Sequence, residues 1–208
     1  MLITRSLTFA YDRGNTFQFP DISLEPGSDL LILGPSGSGK TTLLHLLAGL
    51  LFPNSGHIEL LGTVLNKLPI KKLDKFRGSH IGLVFQRPHF IHSLSLLENL
   101  ALVQYLAGEK HDQKRARKIL SSLNIEDKRY KRPYSLSQGE QQRAAIAMAV
   151  LNNPQLILAD EPTASLDDKN CLGVVSLLKD QATANKSQLV IITHDKRLTP
   201  HIQICIAL

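Results

Sequence analysis

Runs of apolar residues with polar ends set the plan of this chain. Leu30-Leu31-Ile32-Leu33, Ile81 to Phe85, Leu156 to Ala159 and Leu189 to Thr193 are each short and bounded by turn-forming or polar residues. Such runs read as strands buried on both faces of a parallel sheet. A final stretch, Ile202 to Ala207, reads as one more strand. The first 25 residues follow another pattern: Leu2, Thr4, Leu7 and Phe9 alternate with polar positions. Asp12-Arg13-Gly14-Asn15 is a turn signal, and Phe17, Phe19, Ile22 and Leu24 continue an antiparallel hairpin or meander. His57 to Leu61 adds a further strand after the turn at Pro53-Asn54-Ser55-Gly56.

Helical periodicity takes over between these strands. Thr41 to Leu50 reads as a helix, as do Ser95 to Gly108, with Ser95 and Glu98 spaced as a capping box, and Asp112 to Leu123. Ser137 and Glu140 open another helix to Leu151, stopped by Asn152-Asn153-Pro154, and a last one runs from Asp168 to about Lys179. The fold class expected is α/β, with an antiparallel β subdomain at the N-terminus and an inserted α-helical subdomain. Residues 1–88 and 134–208 form the core and residues 89–133 the insertion, all within one domain.

Composition narrows the picture only modestly. A chain of 208 residues, 43% hydrophobic and 20% charged, is ordinary for a globular protein with a substantial core. No apolar run approaches the ~20 residues that span a bilayer, and the first residues lack the layout of a secretion signal. The expectation is a chain that neither crosses a membrane nor is exported. Cys171 and Cys205 match no metal spacing and are expected to be free thiols. The formal charge of +6 is compatible with nucleic acid, an anionic membrane surface or simple solubility. A basic stretch with Lys67, Lys71, Lys72, Lys75 and Arg77 is expected to be a solvated helix face.

The chemistry concentrates in Gly34-Pro35-Ser36-Gly37-Ser38-Gly39-Lys40-Thr41, set between a strand and a helix. This spacing is that of a phosphate-binding P-loop: glycines let backbone N–H groups approach the phosphate oxygens, and the following helix turns its positive end to the same anion. Lys40 adds a cation at the β/γ-phosphates, and the Thr41 hydroxyl suits Mg²⁺. Thr42 completes the candidate nucleotide-binding set. Gln86, Asp160-Glu161 and His194 all follow apolar strands, which places them at the carboxyl ends of strands, where ligands bind in open α/β sheets. Of the adjacent acids, Asp160 suits Mg²⁺ and Glu161 a water. Tyr11, at the end of a hairpin strand, is an aromatic ring able to stack on a base or to sit as a half-buried strand residue.

In order and spacing these residues resemble the nucleotide-binding domain of the ATP-binding cassette (ABC) superfamily across nearly the whole chain. The resemblance implies a RecA-like P-loop NTPase core. Gly34 to Thr41 matches the Walker A motif, and Leu156 to Asp160 with Glu161 matches Walker B and its catalytic glutamate. Gln86 matches the Q-loop, Ser165-Leu166-Asp167 the D-loop, His194 the switch histidine and Tyr11 the base-stacking aromatic. Leu136-Ser137-Gln138-Gly139-Glu140 resembles the signature, usually Leu-Ser-Gly-Gly-Gln, with Gln138 and Glu140 as departures.

The resemblance further implies two chains closing head-to-tail around two ATP molecules. Ser137 and Gly139 of one chain would reach the γ-phosphate held by the other, and a homodimer is expected. Glu161 would act as general base, His194 would hold the γ-phosphate, and Gln86 would share in Mg²⁺ and water placement. It implies transmembrane partner subunits, a peripheral position on the inner face of the membrane, and ATP hydrolysis that powers transport. Within the superfamily the chain looks most like lipoprotein-release, macrolide-export and cell-division ATPases. The competing expectation is an ABC ATPase acting on nucleic acid or ribosomes, against which stands the absence of any long coiled coil or second cassette. A small-molecule kinase leaves Leu136 to Glu140 and His194 unexplained.

Overall fold

A computed structural model of the chain describes residues 1–11, 16–164 and 168–208. The turn expected at Asp12 to Asn15 and the D-loop segment Ser165 to Asp167 lie outside the described residues. In chain order the first half comprises β1 (Leu2–Ala10), β2 (Thr16–Gln18), β3 (Ser23–Leu24), β4 (Asp29–Leu33), α1 (Lys40–Leu47), β5 (Ser55–Leu60), β6 (Thr63–Val64), α2 (Ile70–His80) and β7 (Ile81–Val84). The second half comprises α3 (Leu96–Ala107), α4 (Gln113–Ser122), α5 (Gln138–Val150), β8 (Leu156–Asp160), α6 (Asp168–Asn185), β9 (Gln188–Thr193) and β10 (Ile204–Ala207).

The strands form two sheets. The first is antiparallel in the order β2-β1-β5-β6, with β3 also paired to β1. The N-terminal segment is therefore not a simple meander, since β2 and β3 both pair with β1. The second sheet is wholly parallel in the order β10-β4-β9-β8-β7. The fold is thus mixed α/β, with antiparallel and parallel sheets.

Alternation along the parallel strands explains how both faces are covered. Leu30 and Ile32, Leu156 and Leu158, and Val190 and Ile192 turn to one face, where they pack with Leu43, Leu44, Leu46 and Leu47 of α1 and with Leu2, Leu7 and Ile58 of the antiparallel sheet. Leu31, Ile157, Ala159, Leu189 and Ile191 turn to the other, against Leu100 of α3, Leu120 of α4, Ala144 and Ile146 of α5 and Leu178 of α6. A strand buried on both sides has no polar positions to spare, and the runs are uninterrupted for that reason.

Helix ends follow local chemistry. Ser95 and Glu98 close a capping box on α3, and Gly108, at φ 75°, ends it in the left-handed conformation. Ser137 and Glu140 do the same for the start of α5. Gln138 has no positive φ, so its backbone requires no glycine. Helix α6 continues past Lys179 to Asn185, because the added turn holds Ala182 and Ala184 and neither Gly nor Pro. It stops where Lys186 takes φ 53°. Among the described residues no helix is long and apolar enough to cross a membrane. Cys171 is buried, Cys205 is exposed, and both are free.

Candidate functional site

The loop between β4 and α1 arrives at the carboxyl edge of the parallel sheet. Gly39, the residue before α1, has φ 93°, and a Cβ there would stand 2.7 Å from Phe17 Cδ1. Glycine is needed on both counts. The first turn of α1 has no side-chain cap and no acidic residue, so its N–H groups and the positive end of the helix dipole face the loop uncompensated. Lys40, buried at 7% exposure, donates from Nζ to the carbonyls of Gly34 (2.9 Å) and Pro35 (2.8 Å). Its charge is thereby held over the loop.

Strands β8 and β9 bring acids and a histidine to the same edge. Register pairs Asp160 with Ile192, and Glu161 N–H donates to the Ile192 carbonyl at 2.9 Å. Glu161 adopts φ 45°, a left-handed conformation that a non-glycine residue holds at a cost and that is common at functional sites. Its Oε2 accepts from Thr193 Oγ1 at 2.7 Å, and Oε1 accepts from His194 N–H at 3.1 Å and pairs with His194 Nδ1 at 2.9 Å. Asp160 is buried, and the Thr41 hydroxyl donates to its Oδ1 at 3.4 Å. Burial raises the Asp160 carboxyl above the usual carboxylate range; the Thr41 hydrogen bond opposes this and the neighbouring Glu161 charge adds to it.

These elements enclose an open cleft of about 590 Å³ lined by Phe17, Pro35, Ser36, Gly37, Gly39, Lys40, Thr41, Thr42, Gln86, Glu161 and His194. Three strand ends and the loop therefore converge, as their positions after apolar runs implied. Gly34 and Ser38 lie behind the lining: a Cβ on Gly34 would stand 2.7 Å from Ser38 Oγ, which is itself buried without a hydrogen-bond partner. Tyr11 stands outside the lining, half exposed, its hydroxyl 3.1 Å from Thr42 Oγ1 and its ring edge-on to Phe9. Phe17 was not singled out from the sequence; its place on the same hairpin as Tyr11 was the available signal.

Ser137 and Gly139 are elsewhere. They sit exposed at the start of α5 and take no part in the cleft, and a Cβ added to Gly139 would meet nothing within 4 Å. A second groove, about 410 Å³, runs between α2, α3 and α5 and is lined by Arg77, Leu83, Val103, Leu106, Met148 and Asn152 among others.

Comparison with known proteins bears directly on this layout. The lipoprotein-releasing system ATP-binding protein LolD of Chromohalobacter salexigens is 36% identical over 207 residues, covering 97% of this chain and 87% of that protein. The macrolide export ATP-binding/permease protein MacB of Rhodopseudomonas palustris is 38% identical over 84% of this chain, which spans only 27% of MacB. Among solved structures, the ATP-binding cassette MJ0796, a dimer in a post-hydrolysis state bound to ADP and Pi, superposes with a TM-score of 0.89 at 32% identity, covering 100% of this chain and 94% of that one. The family model described as ABC transporter matches residues 18–164, from the strand that carries Phe17 and Gln18 to the segment just beyond Glu161. The chain is accordingly an ATP-hydrolysing cassette, and it belongs to the ABC transporter family.

Proposed function

We propose that this chain is the energy-supplying subunit of a transporter whose membrane-spanning parts are other chains, with two copies closing head-to-tail on ATP. The observation that carries this is a separation: Lys40, Glu161 and His194 share one cleft, whereas Ser137 and Gly139 stand exposed outside it. A second chain brings its Ser137 and Gly139 to the γ-phosphate, so closure completes the site and hydrolysis dissolves it.

Within the cleft the loop N–H groups and Lys40 bind and orient the phosphates. Glu161 accepts the proton of the attacking water: a carboxylate offers about four acceptor positions, and its three donors leave one open. His194 is held by Glu161 through Nδ1 and meets the γ-phosphate. Thr41 and Gln86 line the cleft, while Asp160 lies outside its lining and accepts from the Thr41 hydroxyl. All three carry hard oxygen donors, and the cost of the buried Asp160 charge is the kind that a cation relieves. These residues would hold Mg²⁺, which when bound neutralises charge on the phosphate oxygens.

Residues 89–133 serve as a helical subdomain, and the groove between α2, α3 and α5 receives a segment of the transmembrane partner. On this reading the chain sits on the inner face of the membrane, held there by its partner subunits. Likeness to LolD and MacB supports lipoprotein release or export as the transport task. No observation favours the nucleic-acid alternative. The test is the solution size of Glu161→Gln with and without ATP. A dimer that forms only with ATP, and is lost when Ser137→Arg is added, is the expected result; a chain that binds ATP and stays monomeric throughout refutes the head-to-tail site.

A further inference from the structure

The N-terminus of α5 is occupied by the chain's own carboxylate. Glu140 Oε2 accepts from Ser137 N–H at 2.8 Å and from Ser137 Oγ–H at 2.9 Å, while Glu140 N–H reaches back to Ser137 Oγ at 3.4 Å. The two hydrogen bonds from Ser137, backbone first, hold the Glu140 carboxyl below the usual carboxylate range, so it is charged at neutral pH. Its other oxygen lies 3.7 Å from Lys128 Nζ, which is paired with Asp127 at 3.0 Å.

A hydroxyl has a single proton to donate. Ser137 gives it to Glu140, and a phosphate approaching the same hydroxyl meets a like charge on the same helix end. We propose that Glu140 is an internal competitor for the phosphate-receiving position at Ser137, a latch that must swing away before two chains close on ATP. The proposal rests on the reading of Ser137 as the residue that meets the partner's nucleotide. Lys128 provides the seat for the displaced carboxylate, since it already lies beside Oε1 and both side chains are partly exposed. The capping box on α3, Ser95 with Glu98, has nearly the same geometry and is a stabilising cap. The difference at α5 is that the hydroxyl has a second claimant. The latch thus stabilises the single chain and raises the ATP concentration at which it closes.

The two roles move in opposite directions, which makes the latch testable. In the Glu161→Gln chain, light scattering across an ATP titration gives the concentration for half-maximal dimerisation. Adding Glu140→Gln keeps size and shape but removes the charge. The expected result is a fall of about tenfold in that concentration, a modest shift on the affinity scale. The melting temperature of the nucleotide-free monomer should meanwhile drop by about 1–3 °C through the weaker cap. ATP binding to the monomer, read with a fluorescent nucleotide, should stay unchanged because the cleft is remote from α5's first turn. A residue that is only a cap lowers the melting temperature and leaves dimerisation unchanged or weaker, and that outcome overturns the latch. Ser137→Arg separates the failures. If it blocks dimerisation while Glu140→Gln does not ease it, the latch alone falls. If Ser137→Arg leaves the ATP-driven dimer intact, the reading of Ser137 falls and the latch with it.

Discussion

Replacing Gly82 by Ala should loosen the link between the two halves of the site while leaving nucleotide binding nearly intact. Gly82 lies in β7, paired with Ile157 of β8, and the C-terminal end of α5 passes directly over it. A Cβ at this position would stand 2.3 Å from the carbonyl oxygen of Ala149, 3.0 Å from its carbon and 3.1 Å from Pro154 Cγ. Ordinary contact begins at 3.4 Å, so the carbonyl is short by about 1.1 Å (3.4 − 2.3). The Ala149 contacts are backbone and Pro154 Cγ belongs to a closed ring, so neither can rotate away. Overpacking of this kind costs about 1–3 kcal/mol, against which Ala in a strand recovers roughly 0.5–1 kcal/mol of backbone entropy. Because the shortest contact is with backbone, the cost lies in the upper half of that range, about 2–3 kcal/mol. The net of about 1–2.5 kcal/mol corresponds to a fall of about 2–10 °C in melting temperature for a chain of this size.

The functional consequence follows from what the two elements carry. Strand β7 leads to Gln86, and α5, about 20 Å long at 1.5 Å per residue, carries Ser137 at its far end. Lifting α5 off β7 displaces Ser137 relative to the cleft, whereas β4, which leads into the phosphate loop, is separated from β7 by β9 and β8. In the Glu161→Gln background the ATP needed for dimerisation should rise by about tenfold or more, as expected when reacting groups are misplaced by about 1 Å. ATP affinity of the monomer should change by no more than about twofold, since distant sites are nearly independent. Thermal denaturation, a fluorescent nucleotide titration and light scattering read the three quantities. A melting temperature within about 1 °C of the original would refute the packing argument. Loss of monomer ATP binding at an unchanged melting temperature would refute the division of roles.

Two further outcomes are expected. Asp160→Asn should raise the melting temperature of the nucleotide-free chain at neutral pH by about 1–3 °C, because burial raises the Asp160 pKa and the charged form costs stability. That penalty is present above the elevated folded pKa and fades as pH falls through it, so the gap between the two proteins should close on acidification. A lower melting temperature for Asp160→Asn at every pH would refute the assignment, and its Mg²⁺-dependent hydrolysis should be lost whatever its stability. Tyr11→Ala should weaken ATP binding by roughly 5- to 30-fold, the scale of one base-stacking contact of about 1–2 kcal/mol. Tyr11→Phe keeps the ring and loses only the partly exposed hydrogen bond to Thr42, and should stay within about threefold; equal losses in the two variants would count against stacking.

Much of this arrangement was legible in the sequence because buried parallel strands and capped helices are local patterns. Leu30 to Leu33 and Leu156 to Asp160 announce themselves by having no polar gap, and Ser95 and Ser137 announce helix starts by their spacing to Glu98 and Glu140. What escaped depends on distant partners. The pairing of both β2 and β3 with β1, and the two-residue strand β6 against β5, follow from which strand is nearby in space. Phe17 reads as one more alternating strand residue, and only the packing of its ring against Gly39 puts it in the cleft. The exposure of Ser137 outside the cleft agrees with the family resemblance, which implies that this serine meets the other chain's nucleotide.

The placement of the reacting groups is a consequence of the core. Glu161 reaches Thr193 and His194 because Asp160 stands opposite Ile192, one residue earlier on each strand. Slipping β8 by one residue would turn Leu156 and Leu158 to the face now filled by Ile157 and Ala159. Leucines would then meet the tightly packed alanines of α5, Ala144, Ala145 and Ala147, and alanine would be left facing α1. The asymmetry of the strand, leucines on one face and Ile157 with Ala159 on the other, therefore fixes its register. That register carries Glu161 just past the last residue of β8, into a turn at φ 45° where three donors hold its carboxylate at the cleft. A strained acid at this position is sustained by apolar residues that never meet the nucleotide, and substitutions that equalise the two faces of β8 should erode activity before they unfold the chain.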